Sequence, residues 1–512
     1  MSTKAGIFRR YPELTAARHK DVPANGIPEF CVYLALSMLL HAALLGDWTF
    51  EVDDQFYALV GHRLTEEARL YVDIWDRKGP VLYYLYALFA WIWDSPVCYQ
   101  LAATLFCAVG ATVVQGIAVK LADRRGAFLA GISYLLLSFQ FGGANGQSVV
   151  FYEPMLAICV WSVVSRIDVV REGRVDLPLV GGFFAAGLAL MCKQSAAFEA
   201  IFFGAAYCAI GWHAGAPLPR IVRSSMVLAI VGAAPLLTFA FGFWFAGYFD
   251  PFWHALVGSN LERQYMGAHE RLSRLPAVLT VMALPTGVAL LGWLRLRRND
   301  QGRVTVRLVS GWLGAAAFAI LLYPNIFEFY LMALVPALCV MASGLYEQGR
   351  VGLLALAGLA TSILPFSSAL DVPARIRARA ASAELVNYVR KEKGQGGLFV
   401  AGQLSYLYVL TGSLPPSRLV FVSHLFDMTE ASAIGRNQLA EVHRILAQRP
   451  GTVVRQVPLQ GSPLNDRAVA LLDSYLDGCA KRRRFTLYDQ YGAQEQVVYS
   501  QCGRGRSGQA EP

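Results

Sequence analysis

Apolar runs long enough to cross a bilayer recur from Pro28 to about Ala369 and then stop. A helix needs roughly 20 apolar residues to span about 30 Å of hydrocarbon. The chain offers twelve candidates, at 28–46, 79–95, 97–120, 126–143, 148–165, 177–192, 195–213, 222–245, 275–294, 307–323, 329–346 and 352–369. The polar positions between them include four basic loops: Lys120, Arg124 and Arg125; Arg166, Arg171 and Arg174; Arg220 and Arg223; and Arg295 to Arg307. Basic loops stay cytoplasmic, as does the basic N-terminal segment 1–27. Twelve crossings break that rule, because three spans ahead of Arg124 deliver it to the opposite side. The conflict disappears if 79–95 lies along the outer surface. That stretch opens on Gly79-Pro80, ends at Asp94-Ser95-Pro96 and carries Tyr83, Tyr84, Tyr86, Trp91 and Trp93, aromatics that favour a membrane interface. The pattern therefore predicts eleven crossings, with 47–96, Ala144 to Gln147, Lys193, 249–274, Tyr323 to Phe327 and all residues after 371 on the outer side.

Beyond 371 the periodicity changes. A basic amphipathic helix runs from Arg375 to Arg390. Strand-like runs follow at Gly397 to Ala401, Tyr406 to Leu410, Leu419 to Val422, Thr452 to Val457 and Gln496 to Tyr499, with helical stretches at 427–448 and 466–480. The expected architecture is a polytopic α-helical membrane protein. It comprises a transmembrane domain over 28–370 with an outer loop at 47–96, outer juxtamembrane helices, a small C-terminal α/β domain over 371–502 and a disordered tail at 503–512.

Composition agrees with this reading: of 512 residues, 55% are hydrophobic and only 16% charged, and the mean hydropathy is +0.41. A net charge of +9 raises the question of nucleic acid. The basic residues, however, flank the spans instead of forming one face, so membrane lipids are the expected partner and nucleic acid is not. The N-terminus lacks an early apolar core with a small-residue cleavage site, so the first span is expected to be retained. Seven of nine cysteines fall in apolar spans. Cys479 and Cys502 lie in the tail, as a pair if the tail is extracytoplasmic or as two free thiols.

The loop at 47–96 gathers the chemistry. In Glu51-Val52-Asp53-Asp54-Gln55-Phe56-Tyr57-Ala58 the apolar spacing starts a helix near Asp53. An aspartate there reads as an N-cap. Two acids held at a membrane interface read equally as a general base with a supporting carboxylate. Farther on, Lys78 enters the interfacial helix at its N-terminal end, with Pro80 in the first turn. A lysine plus a helix N-terminus makes a phosphate seat, to which Arg77 adds a bidentate contact. The alternative is a snorkelling lysine paired with Asp73 or Asp76.

These residues carry a resemblance. Acid-acid-x-x-Tyr-Ala after the first span, then Trp75-Asp76-Arg77-Lys78-Gly79-Pro80-Val81-Leu82-Tyr83-Tyr84, resembles the first outer loop of the GT-C membrane glycosyltransferases. The nearest branch holds the lipid A aminoarabinose transferases and protein O-mannosyltransferases. Shorter echoes lie at Glu153-Pro154-Met155, at Gly187 to Gln194 and at Phe329 to Pro336. The resemblance implies an inverting transfer of one sugar from a polyprenyl-phosphate donor to a lipid, glycan or protein hydroxyl, on the extracytoplasmic face of the plasma (inner) membrane. It implies Asp53 as catalytic base with Asp54 in support, Lys78 and Arg77 on the donor phosphate, and Glu153 in the substrate cavity. Tyr57, Tyr83 and Lys193 join that cavity as candidates. The family often opens its late span with His-Tyr, where this chain has Phe329-Tyr330, and the second acid is the shorter Asp. A divalent cation on Asp53, Asp54 and Glu153 is the one cofactor to consider, since His62, His254 and His269 form no metal spacing. The competing class is a lipid-linked sugar flippase, which requires charge near the midplane and broken helices.

Overall fold

The computed structural model describes residues 27–502 apart from 266, 299–301, 324–326, 394–395, 460 and 462. The N-terminal segment and the tail from 503 lie outside these described residues, so the expectations made for them have no structural counterpart here. In chain order the membrane part comprises α1 (Ile27–His41), α2 (Val52–Thr65), α3 (Pro80–Ile92), α4 (Pro96–Ala118), α5 (Arg124–Ser138), α6 (Ser148–Ser165), α7 (Ile167–Arg171) and α8 (Leu177–Cys192). It continues through α9 (Ala196–His213), α10 (Leu218–Phe245), α11 (Phe249–Trp253), α12 (Ser259–Glu262), α13 (Ala268–Leu296), α14 (Arg303–Leu322), α15 (Val335–Tyr346) and α16 (Gly349–Ile363).

Among the described residues, nine helices are long and apolar enough to cross a membrane, against eleven expected. The remaining two expected spans are α8, which is shorter, and α9, whose first turn carries Glu199. The stretch expected to lie at the surface becomes α3, only 13 residues long. It leaves Tyr84, Leu88, Trp91, Ile92 and the following Trp93 exposed. Its inner face packs on α2, where a side chain in place of Gly61 would meet the Tyr86 backbone at 2.5 Å. α4 begins cleanly because Ser95 accepts a hydrogen bond from Val97 N and Pro96 occupies the first turn.

The C-terminal domain holds α17 (Val372–Glu392), α18 (Tyr406–Thr411), α19 (Val422–Phe426), α20 (Gln438–Ala447) and α21 (Asp466–Leu476). Its strands are β1 (Leu398–Ala401), β2 (Thr452–Val457), β3 (Lys481–Asp489) and β4 (Gly492–Ser500), in the order β1-β2-β4-β3. β1 and β2 are parallel and the other pairs antiparallel. Asp371, Asn437 and Asn465 cap α17, α20 and α21 through their side chains.

Three expectations for this domain need correction. Tyr406 to Leu410 is helical, its rings fixed by Ser382 Oγ donating to the Tyr406 hydroxyl and Val400 N donating to the Tyr408 hydroxyl. Leu419 to Val422 leads into α19 and joins no strand. Within 427–448 only Met428–Glu430 and α20 are helical, separated by the cap at Asn437. β3 was not anticipated. Its first four residues are Lys481-Arg482-Arg483-Arg484, all exposed, as suits an edge strand whose charge discourages further pairing.

Cys479 and Cys502 are joined in a disulfide. The domain docks on loop 47–96 through a buried ion pair: Arg375 Nη1 lies 3.2 Å from Asp47 Oδ2, with the two side chains 2% and 0% exposed. Arg375 also donates to the carbonyls of Tyr488 and Asp489, and Trp75 N donates to the Arg418 carbonyl. A buried pair of this kind fixes register more than it adds stability.

Candidate active site

Loop 47–96, the ends of α8, α13 and α14, the stretch from Glu328 and one edge of the C-terminal domain enclose a cavity of about 1190 Å³. Asp53 is on its wall and sits in the first turn of α2, whose N-cap, Glu51, makes no side-chain cap. Asp53 therefore does not cap the helix. Its Oδ2 accepts from Gln147 Nε2 at 2.7 Å and from the Tyr57 hydroxyl at 3.1 Å. The same oxygen lies 3.7 Å from Lys78 Nζ. Gln147, the N-cap residue of α6, thus aims this carboxylate, a partner that sequence reasoning did not single out.

Asp54 points away from the cavity. It is fully buried, one oxygen accepting from Gly146 N at 3.3 Å and the other unpartnered. Burial, reinforced by Glu51, pushes its carboxyl well above the usual range. Glu51 is likewise raised to about 8 by burial and the charge of Asp53. Of the three carboxyls at this helix start, Asp53 is the one on the cavity wall that lies beside Lys78.

Lys78 Nζ stands over the Tyr57 ring at 4.6 Å and lies 3.6 Å from Asp76 Oδ2. Burial works against its charge, but Asp53 and Asp76 outweigh that and the net shift is upward. Burial also opposes ionisation of Asp76; Lys78, His424 and the Tyr83 hydroxyl overcome it and hold that carboxyl below its ordinary range. The loop is pressed against the end of α8, where Gly79 N donates to the Cys192 carbonyl and any side chain at 79 would collide with the Met191 carbonyl. Gln194 Nε2 donates to the Arg77 carbonyl at 2.6 Å, completing the seam.

Lys193 lies on the cavity, its ammonium ringed by Tyr330 at 4.4 Å, Phe329 at 5.3 Å, Tyr323 at 5.8 Å and Tyr152 at 5.9 Å. The Phe329-Tyr330 pair that departs from the family's His-Tyr forms part of this cage. Burial, then the charge of Lys78, lower the Lys193 ammonium to about 7.

The other expected cavity residues lie one layer deeper. Tyr57 and Tyr83 are fully buried beneath the floor, Tyr83 donating to Asp76. Glu153 is buried within α6 with neither oxygen hydrogen-bonded. Asp53, Asp54 and Glu153 do not converge, and among the described residues no three His, Cys, Asp or Glu side chains are placed to hold a metal ion. The residues present do not fit the cation considered for them.

Arg77 reaches the cavity already engaged. Its Nη1 donates to Glu430 Oε1 at 3.2 Å and its Nη2 to the other oxygen, while Arg263 Nη2 lies 2.8 Å from Glu430 Oε1. The two arginines hold the Glu430 carboxyl down to about 2 against the burial that would raise it. His424 packs on Trp75 with ring centroids 4.9 Å apart, 3.9 Å from Asp76. The segment 260–265 is fastened to the same edge: Gln264 N donates to the Thr429 carbonyl and Ser432 Oγ to the Glu262 carbonyl. Phe198, Ala277, Val278, Val281 and Leu322, from α9, α13 and α14, give the cavity an apolar flank.

No protein-family model and no curated protein sequence matches the chain. Solved structures match its fold. ArnT from Cupriavidus metallidurans bound to undecaprenyl phosphate aligns over 94% of this chain and 99% of its own, with a TM-score of 0.59 and 13% identity. The apo state of that ArnT aligns over 93% and 98%, with a TM-score of 0.59 and 12% identity. The oligosaccharyltransferase AglB from Archaeoglobus fulgidus aligns over 93% of this chain and 74% of its own, at a TM-score of 0.47 and 12% identity. The fold is that of the GT-C membrane glycosyltransferases. Within that class the likeness runs along the whole length of ArnT.

Proposed function

We propose that this chain transfers a single sugar from a polyprenyl-phosphate donor to a hydroxyl acceptor, inverting the anomeric centre. The observation that carries the reading is the pairing of Asp53 and Lys78, 3.7 Å apart, on a cavity with an apolar flank wide enough for a prenyl chain. The likeness to ArnT, solved with undecaprenyl phosphate, supports a lipid-phosphate donor. In the reaction the acceptor oxygen attacks the anomeric carbon and Asp53 takes its proton. The bond from that carbon to the phosphate oxygen breaks, and Lys78 stabilises the departing phosphate as its charge develops. A single displacement inverts configuration. Arg77 contributes to the phosphate only where Glu430 shares or yields its guanidinium.

The site belongs on the extracytoplasmic face of the plasma membrane, with the N-terminus cytoplasmic. The arginine distribution supports this orientation, and so does the Cys479–Cys502 disulfide, a bond that persists in oxidising compartments. The flippase reading lacks a comparable observation, since the buried acids of the spans, Glu153 and Glu199, do not face the cavity. Binding of undecaprenyl phosphate to the protein in nanodiscs tests the donor seat. Lys78→Ala should weaken it at least about tenfold, the loss of one charge-assisted contact; unchanged affinity would remove Lys78 from the phosphate site.

A further inference from the structure

A second pocket, of about 280 Å³, lies where α17 passes the end of α1 that leads into loop 47–96, and it shares no residue with the larger cavity. Gly46 and Trp48 line one side. The other is one face of α17, on which Arg379, Ser382, Asn387 and Arg390 recur at helical spacing. No acid lines the pocket. Asp47, the nearest in sequence, is fully buried in its pair with Arg375. The carboxylates of Glu384 and Glu392 lie on the opposite face of α17, with Arg483 and Lys481. Both guanidinium groups of the pocket meet only backbone. Arg379 donates through Nη1 alone, to the carbonyls of Ala43 at 2.8 Å and Leu45 at 3.4 Å, so among the described residues its Nε and Nη2 have no acceptor. Arg390 donates to the Leu410 carbonyl through Nε at 2.9 Å and through Nη2. The same bonds set the depth of the site. The apolar span of α1 runs to Leu44, and its surface is open toward lipid, with Leu39 71% exposed. Arg379, held on the carbonyls either side of Leu44, therefore stands where hydrocarbon gives way to headgroups. Arg390 is eleven residues farther on, about 16 Å along the helix axis, too far to share one phosphate with Arg379.

We propose that this pocket seats the headgroup phosphate of an anionic membrane lipid, held by Arg379, from the leaflet on the side of loop 47–96. A guanidinium with unspent donors and no carboxylate in its pocket is matched by a phosphodiester, and the lipid's acyl chains then lie along the open surface of α1. That placement favours a lipid over a soluble phosphate, which gains nothing from the apolar helix below. A zwitterionic lipid brings its own cation, and the pocket has no acid to receive it. The bound lipid touches α1 and α17 at once. Because α17 also carries Arg375, the partner of Asp47, the lipid strengthens the hold of the C-terminal domain on the membrane part and should raise the unfolding midpoint of the whole chain.

The test titrates full-length protein in detergent with phosphatidylglycerol, phosphatidylcholine or soluble glycerol 3-phosphate, and reads bound molecules by native mass spectrometry and the midpoint by thermal unfolding. Phosphatidylglycerol should bind about tenfold more tightly than phosphatidylcholine, the scale of one charge-assisted contact, and should raise the midpoint. Arg379→Gln, whose amide can still donate to the Ala43 carbonyl, should abolish that preference while leaving phosphatidylcholine affinity and the lipid-free midpoint unchanged. Arg379→Lys keeps the charge and should keep most of the preference. Arg390→Gln, beyond reach of the phosphate, should change it by less than about threefold. Equal affinity for the two lipids overturns the proposal, as does a preference indifferent to Arg379→Gln, one lost as fully in Arg379→Lys, or one that depends more on Arg390 than on Arg379. Glycerol 3-phosphate bound as tightly as phosphatidylglycerol overturns the lipid as its source.

Discussion

Three carboxyl groups within four residues sit in different surroundings. Asp53 is held by Gln147, Tyr57 and Lys78, whereas Asp54 and Glu51 are buried against one another. With its folded pKa raised to about 8, Glu51 keeps a proton that the unfolded chain loses near pH 4.5. The native state therefore binds more protons between those values, and stability falls as pH rises from about 4.5 to 8. Thermal unfolding of Glu51→Gln should show a flatter pH dependence than the wild type across that window; an identical slope would mean Glu51 is not the group that titrates. At this scale the sequence was readable where partners are neighbours in the chain. Asp53, Lys78 and Asp76 lie in one loop, and Lys193 is a charge between the apolar runs 177–192 and 195–213. Glu430, 353 residues from the Arg77 it binds, belongs to no periodic pattern, and neither does His424. Nothing local marks such residues, because their roles exist only once the C-terminal domain has docked.

Elements show the same division. The spans were legible because lipid demands an apolar stretch of fixed length, and α3 was separable because its aromatics and its bounding prolines differ from those of a span. The C-terminal domain was harder. The alternation in Tyr406-Leu407-Tyr408-Val409-Leu410 mimics a strand, yet tertiary partners for both tyrosine hydroxyls make it α18. β3 hides behind a run of four basic residues that face solvent at a sheet edge. The segment from α19 to Glu430 is the domain's main hold on the cavity, through one carboxylate gripped by two arginines. Glu430→Gln leaves two largely buried guanidinium groups without their anion and should cost about 3 kcal/mol of stability. Denaturant or thermal unfolding checks this, and a loss below about 1 kcal/mol would show the clasp to be incidental.

At the scale of the molecule, a membrane bundle and a small domain share one cavity, and neither completes it alone. The buried Asp47–Arg375 pair and the clasp on Glu430 set where the domain sits. The Cys479–Cys502 disulfide ties the end of α21 to the end of β4 across 23 residues. If that domain is extracytoplasmic, protein isolated from cells with thiols blocked should yield the peptides of Cys479 and Cys502 as one species that separates on reduction. Recovery of both as free thiols would contradict the orientation.

The central claim is that Asp53 takes the acceptor proton while a polyprenyl phosphate leaves. Lipid mass spectrometry of cells in which Asp53→Asn replaces the wild type tests it most directly, alongside undecaprenyl phosphate binding by the purified variant. Loss of a general base lowers turnover on the order of 10²- to 10⁴-fold, so the polyprenyl-phosphate-linked sugar should accumulate and its envelope product disappear, with phosphate-lipid binding retained. Wild-type levels of both lipid and product in a folded Asp53→Asn protein would contradict the account.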